Sequence, residues 1–173
     1  PPEISGTPEQ CWNGKRYSIF RFRCRWCLLY QSRQTAYDRR RKPAVGNSTE
    51  LKNCILFDNV QVPHYNYVGD SILGYKSHLG AGAITSNVKH DKSNVEVNFS
   101  LGRMDTKLRK FGAVIGDNVQ IGCNTVLNPG TIIGRNTDIY PLCNVRGLIN
   151  ADSIYKTNGK VVQKVKIKKD PKL

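Results

Sequence analysis

Within residues 114–145 an aliphatic side chain returns at every sixth position: Ile115, Ile121, Leu127, Ile133, Ile139 and Val145. A helix repeats its buried face about every 3.6 residues and a strand about every 2, and neither period by itself gives six. Gly116, Gly122 and Gly134 follow three of these aliphatics, and Val119, Thr125, Thr131, Thr137 and Cys143 form a second stripe of small or β-branched residues in the same register. Short self-similar units of this kind stack as a parallel β-helix, in which each hexad supplies one short strand and one corner. The aliphatic residue fills the interior, and a nearby glycine or asparagine is expected to supply the positive φ of a tight corner. Three hexads make a triangular coil of about 18 residues, lying about 4.8 Å above the last by parallel strand pairing.

The same spacing occurs earlier at Val45, Leu51, Phe57 and Pro63, slips by one near Val68, and resumes at Leu73-Gly74 and Leu79-Gly80. Residues 45–87 and 113–149 are therefore expected to form roughly four to five coils. The polar stretch 88–112 has no such period and is placed as an inserted surface loop, often the binding side of a solenoid. An antiparallel sandwich is disfavoured because its strands keep no fixed period below ten. The expected organisation is an irregular basic segment 1–43, a β-helix over 44–155 and a basic tail over 156–173.

The net charge of +14 raises nucleic acid or an acidic membrane as partner. Its position argues against both. Residues 1–42 hold ten Lys and Arg against three acids, residues 156–173 hold seven Lys against one acid, and the middle is nearly neutral. The basicity belongs to the ends and forms no stripe on the ordered core. Residues 1–43 gather both tryptophans, eight arginines and three of the six cysteines, with no hexad register. Interleaved aromatics and arginines would suit an RNA-binding arm, but the preferred expectation is a segment foreign to the solenoid, such as a frame-shifted read, which the other two frames of the DNA would test. The pair Cys24 and Cys27 has no second pair to complete a zinc site. No secretory signal or long apolar run is present, so a soluble, cytoplasmic protein with reduced thiols is expected.

His64, Tyr65, Tyr67, His78, Lys52 and Asn87 concentrate in the first repeat block, and successive coils would bring them to one side of the prism. Pro63 holds the chain extended before His64. An imidazole suits proton removal from an amine near neutral pH, although a lone corner histidine is more often an ordinary surface residue.

The stretches "PHYNYVGDSILG", "HLGAGAITSN" and "FGAVIGDNVQIGCNTVLNPGTIIGRNTDIYPL" resemble the C-terminal left-handed β-helix of sugar-1-phosphate nucleotidyltransferases. They are similar to the bifunctional N-acetylglucosamine-1-phosphate uridylyltransferase/glucosamine-1-phosphate acetyltransferases. The resemblance covers about residues 44–160 and rests on the H-x-x-Y-x-G-D and G-A-G-x-I-T-x-N motifs. It implies an all-β, left-handed parallel β-helix, acetyl-CoA as co-substrate, an amino-sugar 1-phosphate as acceptor and a homotrimer, with neither nucleic acid nor membrane as partner. By motif it implies His64 as catalytic base, Lys52, Tyr67 and Asn87 on the sugar phosphate, and Ala81 and Cys123 beside the coenzyme. Backbone N–H groups of the "GAG" stretch would face the developing oxyanion.

The chain departs from that pattern in places. His78 stands where the bifunctional enzyme has an asparagine and Cys123 where it has a serine. Nothing in residues 1–43 resembles the family's glycine-rich nucleotide loop, and the arginine-bearing coil expected before Val45 is missing or replaced by residues 1–43. The competing readings are a non-catalytic trimerisation or regulatory β-helix, and a metal-dependent β-helix enzyme, for which only His64, His78 and His90 are at hand as ligands.

Overall fold

The computed structural model describes residues 43–165, together with the backbone of three short strands, Gln10–Trp12, Lys15–Tyr17 and Ala36–Tyr37. The first two of these pair antiparallel, and the third pairs parallel with Ile55–Leu56. The Cys24 and Cys27 pair and the remainder of the basic N-terminal segment lie outside the described residues.

From Ala44 the chain winds through three flat faces. The first carries Ala44–Asn47, Gln61–His64, His78–Leu79, Gln120–Ile121, Asp138–Ile139 and Ser153–Tyr155, one strand per coil and all parallel. On the second face Glu50–Lys52, Tyr67–Gly69, Ile84–Thr85, Val126–Leu127 and Asn144–Val145 stack in the same way. The third stacks Ile55–Leu56, Ile72–Leu73, Ala113–Ile115, Thr131–Ile133 and Leu148–Ile149. Five full coils result, and the architecture is the left-handed parallel β-helix.

Strands of two to four residues are too short to persist alone, so the interior stack holds them. Val62, Leu79, Ile121 and Ile139 line up inside the first face, Val68, Leu127 and Val145 inside the second, and Leu56, Leu73, Ile115, Ile133 and Ile149 inside the third, all buried. Each such side chain contributes about 1.5–3 kcal/mol by leaving water. The smaller stripe, Val119, Thr125, Thr131, Thr137 and Cys143, is buried at the corners.

Two details differ from the sequence reading. Phe57 is 53% exposed, and the interior position belongs to Leu56 at 4%; likewise Val62, not Pro63, points inward. The corner between the second and third faces is one residue shorter in the first two coils, from Leu51 to Leu56 and from Val68 to Leu73. A hexad counted forward from Val45 therefore runs one position late. Secondly, of the glycine or asparagine expected at the tight corners, the asparagine is the one borne out, and the glycines after the aliphatics do not supply the positive φ. That role falls to Asn118, Asn124 and Asn136 at φ of 55°, 53° and 56°, and to their equivalents in other coils; the short asparagine side chain tolerates this region. The glycines instead sit where neighbouring coils touch: a Cβ on Gly134 would lie 2.3 Å from the Ala151 nitrogen.

The insertion leaves the second face of the third coil after Asn87 and rejoins the third face at Ala113. Its base is tied by the N–H of Phe111 to the Asn87 carbonyl (2.9 Å) and the N–H of Gly112 to the Asp70 carbonyl (2.9 Å). Beyond that base it is a β-hairpin, Glu96–Phe99 against Gly102–Asp105. Val95 and Val97 are buried, and the strand lies against the φ +79° corner at Gly130, where a Cβ would meet the Glu96 carbonyl. At the C-terminal end Val161–Gln163 returns antiparallel along Ser153–Tyr155, and Lys164 Nζ reaches Asp138 at 2.8 Å. A reversed strand ends the parallel stack and covers its open edge.

Candidate functional site

Two columns of side chains flank the second face, one at each of its corners. At the corner with the first face, strand register places Asn47, His64, Ala81 and Cys123 in successive coils. His64 and Cys123 are exposed and Ala81 is half-buried. The histidine is held through its backbone. Its N–H donates to Asn66 Oδ1 (3.1 Å), its carbonyl accepts the Gly82 N–H (3.0 Å), and the chain turns immediately after it at Tyr65, φ 52°. Asn66 is buried and donates through Nδ2 to the carbonyls of Gly80 (2.8 Å) and Ala83 (3.1 Å). One asparagine thus locks the corner that carries the imidazole to the corner below it.

The main chain at "GAG" is mostly committed. The Gly80 N–H donates to the Ile121 carbonyl at 2.8 Å and the Gly82 N–H to the His64 carbonyl at 3.0 Å, which commits both glycine donors to the main chain. Of the N–H groups expected to face an oxyanion, that leaves the one on Ala81.

Across the face, Lys52 pairs in register with Gly69, and Glu50 with Tyr67. The Tyr67 phenol and the Asn87 carboxamide meet above Gly69: a Cβ there would lie 2.6 Å from Tyr67 Oη and 2.7 Å from Asn87 Nδ2. Glycine is required at this position so that the two side chains can close over the strand. Burial and the neighbouring Glu50 carboxylate push the Tyr67 phenol up from its ordinary pKa, against a hydrogen bond from Asn87 that lowers it, so the phenol keeps its proton at neutral pH. Asn87 Nδ2 also donates to Asp70 Oδ2, and Asp70 Oδ1 accepts from Asn53 Nδ2 at 3.0 Å.

The structure thus brings Lys52, Tyr67 and Asn87 together on the second face and stacks His64, Ala81 and Cys123 along its edge. Asp70 and Asn53 were not foreseen. The aspartate ends the H-x-x-Y-x-G-D motif, and nothing local marks Asn53, which meets Asp70 only because the coils stack. His78 lies apart on the first face, in an open depression of about 440 Å³ lined with Asn59, Gln61, Lys76, Asn118 and Gln120. That depression contains none of the six site residues. Among the described residues no three of His, Cys, Asp and Glu converge to hold a metal ion, His64, His78 and His90 included. No helix among them is long and apolar enough to cross a membrane.

Residues 112–147 match the family model described as bacterial transferase hexapeptide (six repeats). The bifunctional protein GlmU of Methanococcus maripaludis strain C5 is 41% identical over 121 residues, 69% of this chain and 29% of that protein. The chain carries a hexapeptide-repeat domain. The bifunctional sugar-1-phosphate nucleotidylyltransferase/acetyltransferase of Sulfurisphaera tokodaii is 37% identical over 100 residues, 58% of this chain and 25% of that protein. The hexapeptide-repeat chain therefore spans under a third of the length of these relatives. Among solved structures, the polySia specific acetyltransferase NeuO superimposes with a TM-score of 0.43 at 13% identity, over 74% of this chain and 79% of that one.

Proposed function

We propose that the domain over residues 44–155 is an acetyl-CoA-dependent N-acetyltransferase module acting on an amino-sugar 1-phosphate. The observation that carries this reading is the pairing of two edges on one face: His64, Ala81 and Cys123 stacked along one, and Lys52, Tyr67 and Asn87 gathered around Gly69 at the other. Successive coils are about 4.8 Å apart, so the His64 to Cys123 column extends about 10 Å, the scale of a thioester and the start of its pantetheine arm.

In this arrangement Lys52 pairs with the sugar phosphate, and Tyr67 and Asn87 hydrogen-bond to it and to a hydroxyl. The amine attacks the thioester carbon while His64 takes its proton. The Ala81 N–H faces the oxyanion, and the tetrahedral adduct collapses by expelling the coenzyme thiolate, to which the proton on His64 can pass. Cys123, beneath Ala81, lies along the coenzyme arm, and a neighbouring prism of a homotrimer supplies the opposite wall. The similarity to the bifunctional sugar-1-phosphate nucleotidylyltransferase/acetyltransferase of Sulfurisphaera tokodaii supports a sugar 1-phosphate as the substrate class.

The second reading is a β-helix that only assembles the protein. The outward side of the third face favours it: Ile55, Ile72, Val114, Ile132 and Leu148 stand in one register, with Ile55 48% and Ile72 37% exposed. Coenzyme A release from acetyl-CoA with glucosamine 1-phosphate, in the purified protein and in His64→Ala, separates the two. Release that depends on His64 supports catalysis, and no release by the unmodified protein leaves assembly as the function.

A further inference from the structure

Asp70 lies beneath the reaction face, at the corner between the second and third faces, with φ 46°. Its two carboxylate oxygens are committed to different coils. Oδ1 accepts from Asn53 Nδ2, one coil above, at 3.0 Å, and Oδ2 accepts from Asn87 Nδ2, one coil below. Its backbone is committed as well, the N–H donating to the Lys52 carbonyl at 2.8 Å and the carbonyl accepting from Gly112 at 2.9 Å.

A carboxylate accepts hydrogen bonds and never donates, so each carboxamide beside it must turn its NH2 toward it. For Asn87 this decides which way the amide points. Nδ2 donates to Asp70 and lies with Tyr67 Oη over Gly69, where its hydrogen bond lowers the phenol's pKa, and the Asn87 Oδ1 is turned away from Asp70. A phenol oxygen that receives an N–H must send its own O–H elsewhere. Asn87 is only 8% exposed and Tyr67 is half-buried, so the two groups can meet a ligand only on the outward side of the second face. The second face therefore presents a donor and an acceptor side by side, with the Lys52 strand directly across at Gly69.

We propose that Asp70 is a positioning residue: by fixing the Asn87 amide it makes Tyr67 a donor and Asn87 an acceptor, a pair suited to an anionic oxygen next to a hydroxyl, as on a sugar phosphate. This rests on the acetyltransferase reading for the identity of the ligand and not for the hydrogen-bond arrangement. Asp70→Asn replaces an obligate acceptor by a group that meets Asn87 in either orientation, so the outward donor and acceptor are no longer assigned. Asn53 steadies Asp70 from the other coil and acts more weakly.

The test is steady-state kinetics on the full chain with glucosamine 1-phosphate and acetyl-CoA, alongside calorimetric titration of glucosamine 1-phosphate into the same proteins. Asp70→Asn is expected to raise KM, and the dissociation constant, for the sugar phosphate about tenfold, with kcat and the KM for acetyl-CoA within about twofold of the unmodified protein. Asn53→Gly, which keeps the positive-φ corner, is expected to shift the same constant about two- to threefold. A merely structural role gives a different result, because partial unfolding removes active protein and lowers apparent kcat without raising KM. Unchanged sugar-phosphate constants in Asp70→Asn, or an equal change for both substrates, overturn the proposal. If the unmodified protein binds the sugar phosphate but releases no coenzyme A, the acetyltransferase reading fails while the binding ratio still judges Asp70. If it binds no sugar phosphate, both fail.

Discussion

The Gly69 N–H donates to Thr85 Oγ1 at 3.0 Å, inside the aliphatic stack of the second face. Thr85 is fully buried between Val68 and Leu127, and the Ser71 hydroxyl lies 3.0 Å from its oxygen and 2.7 Å from the Gly69 carbonyl. A polar pair in the core thus holds from within the glycine over which Tyr67 and Asn87 close. Thr85→Val would restore the aliphatic pattern but leave the Gly69 N–H without its acceptor. A loss of about 1–3 kcal/mol is expected by urea denaturation, and a more stable variant would show that shape outweighs the hydrogen bond here.

His64 projects from its corner and takes no part in the core. His64→Ala is expected to lower kcat for acetyl transfer by about 10²–10⁴-fold, with the melting temperature unchanged. The measurement is initial-rate coenzyme A release at saturating substrates, and a rate within threefold of the unmodified protein would remove the base from this position.

Gly134 shows how tightly the coils sit. A Cβ there meets the Ala151 nitrogen at 2.3 Å and its Cα at 2.6 Å, both backbone atoms that cannot swing aside. Gly134→Ala should therefore destabilise the helix by about 1–3 kcal/mol through forced backbone shifts, while Arg135→Ala, one exposed residue on, should change stability by under about 0.5 kcal/mol. Thermal melts of the two variants side by side give the comparison.

Burial pushes the Cys54 thiol up to about 11. Unfolding lets it ionise near its ordinary pKa of about 8.5, so the unfolded chain releases a proton that the folded one keeps. Stability from this group is complete below that ordinary value and is lost as pH rises toward about 11. Denaturation midpoints of the unmodified protein should fall more steeply between about pH 8.5 and 11 than those of Cys54→Ala; parallel slopes would contradict this.

Cys123 is exposed while Cys54 and Cys143 are buried. Iodoacetamide near neutral pH should label Cys123 before either of the other two, as peptide mass mapping would show. If the column below His64 carries the coenzyme, labelling of a Cys123→Ser control should leave acetyl-CoA affinity unchanged, and labelling of the unmodified protein should weaken it several-fold. Equal affinity before and after labelling would place the coenzyme elsewhere.

The six-residue recurrence of Ile115, Ile121, Leu127, Ile133 and Ile139 was enough to determine the coil, because each hexad carries its own inward side chain and its own corner, and both are local properties of the chain. The roles proposed for His64 and Tyr67 come from the resemblance of their motif to a family and not from the period, because nothing local distinguishes a catalytic corner histidine from an ordinary surface one. The tertiary structure decided what stacks on what. Val45 lies opposite Val62 and Leu51 opposite Val68, 17 residues apart, whereas Ile121 lies opposite Ile139, 18 apart. A difference of one residue per coil moves every outward neighbour, so Asn53, Asp70 and Asn87 come into line only once the length of each turn is settled. That length depends on how tightly each corner closes against its neighbours, a packing property shared between coils and written in no single hexad.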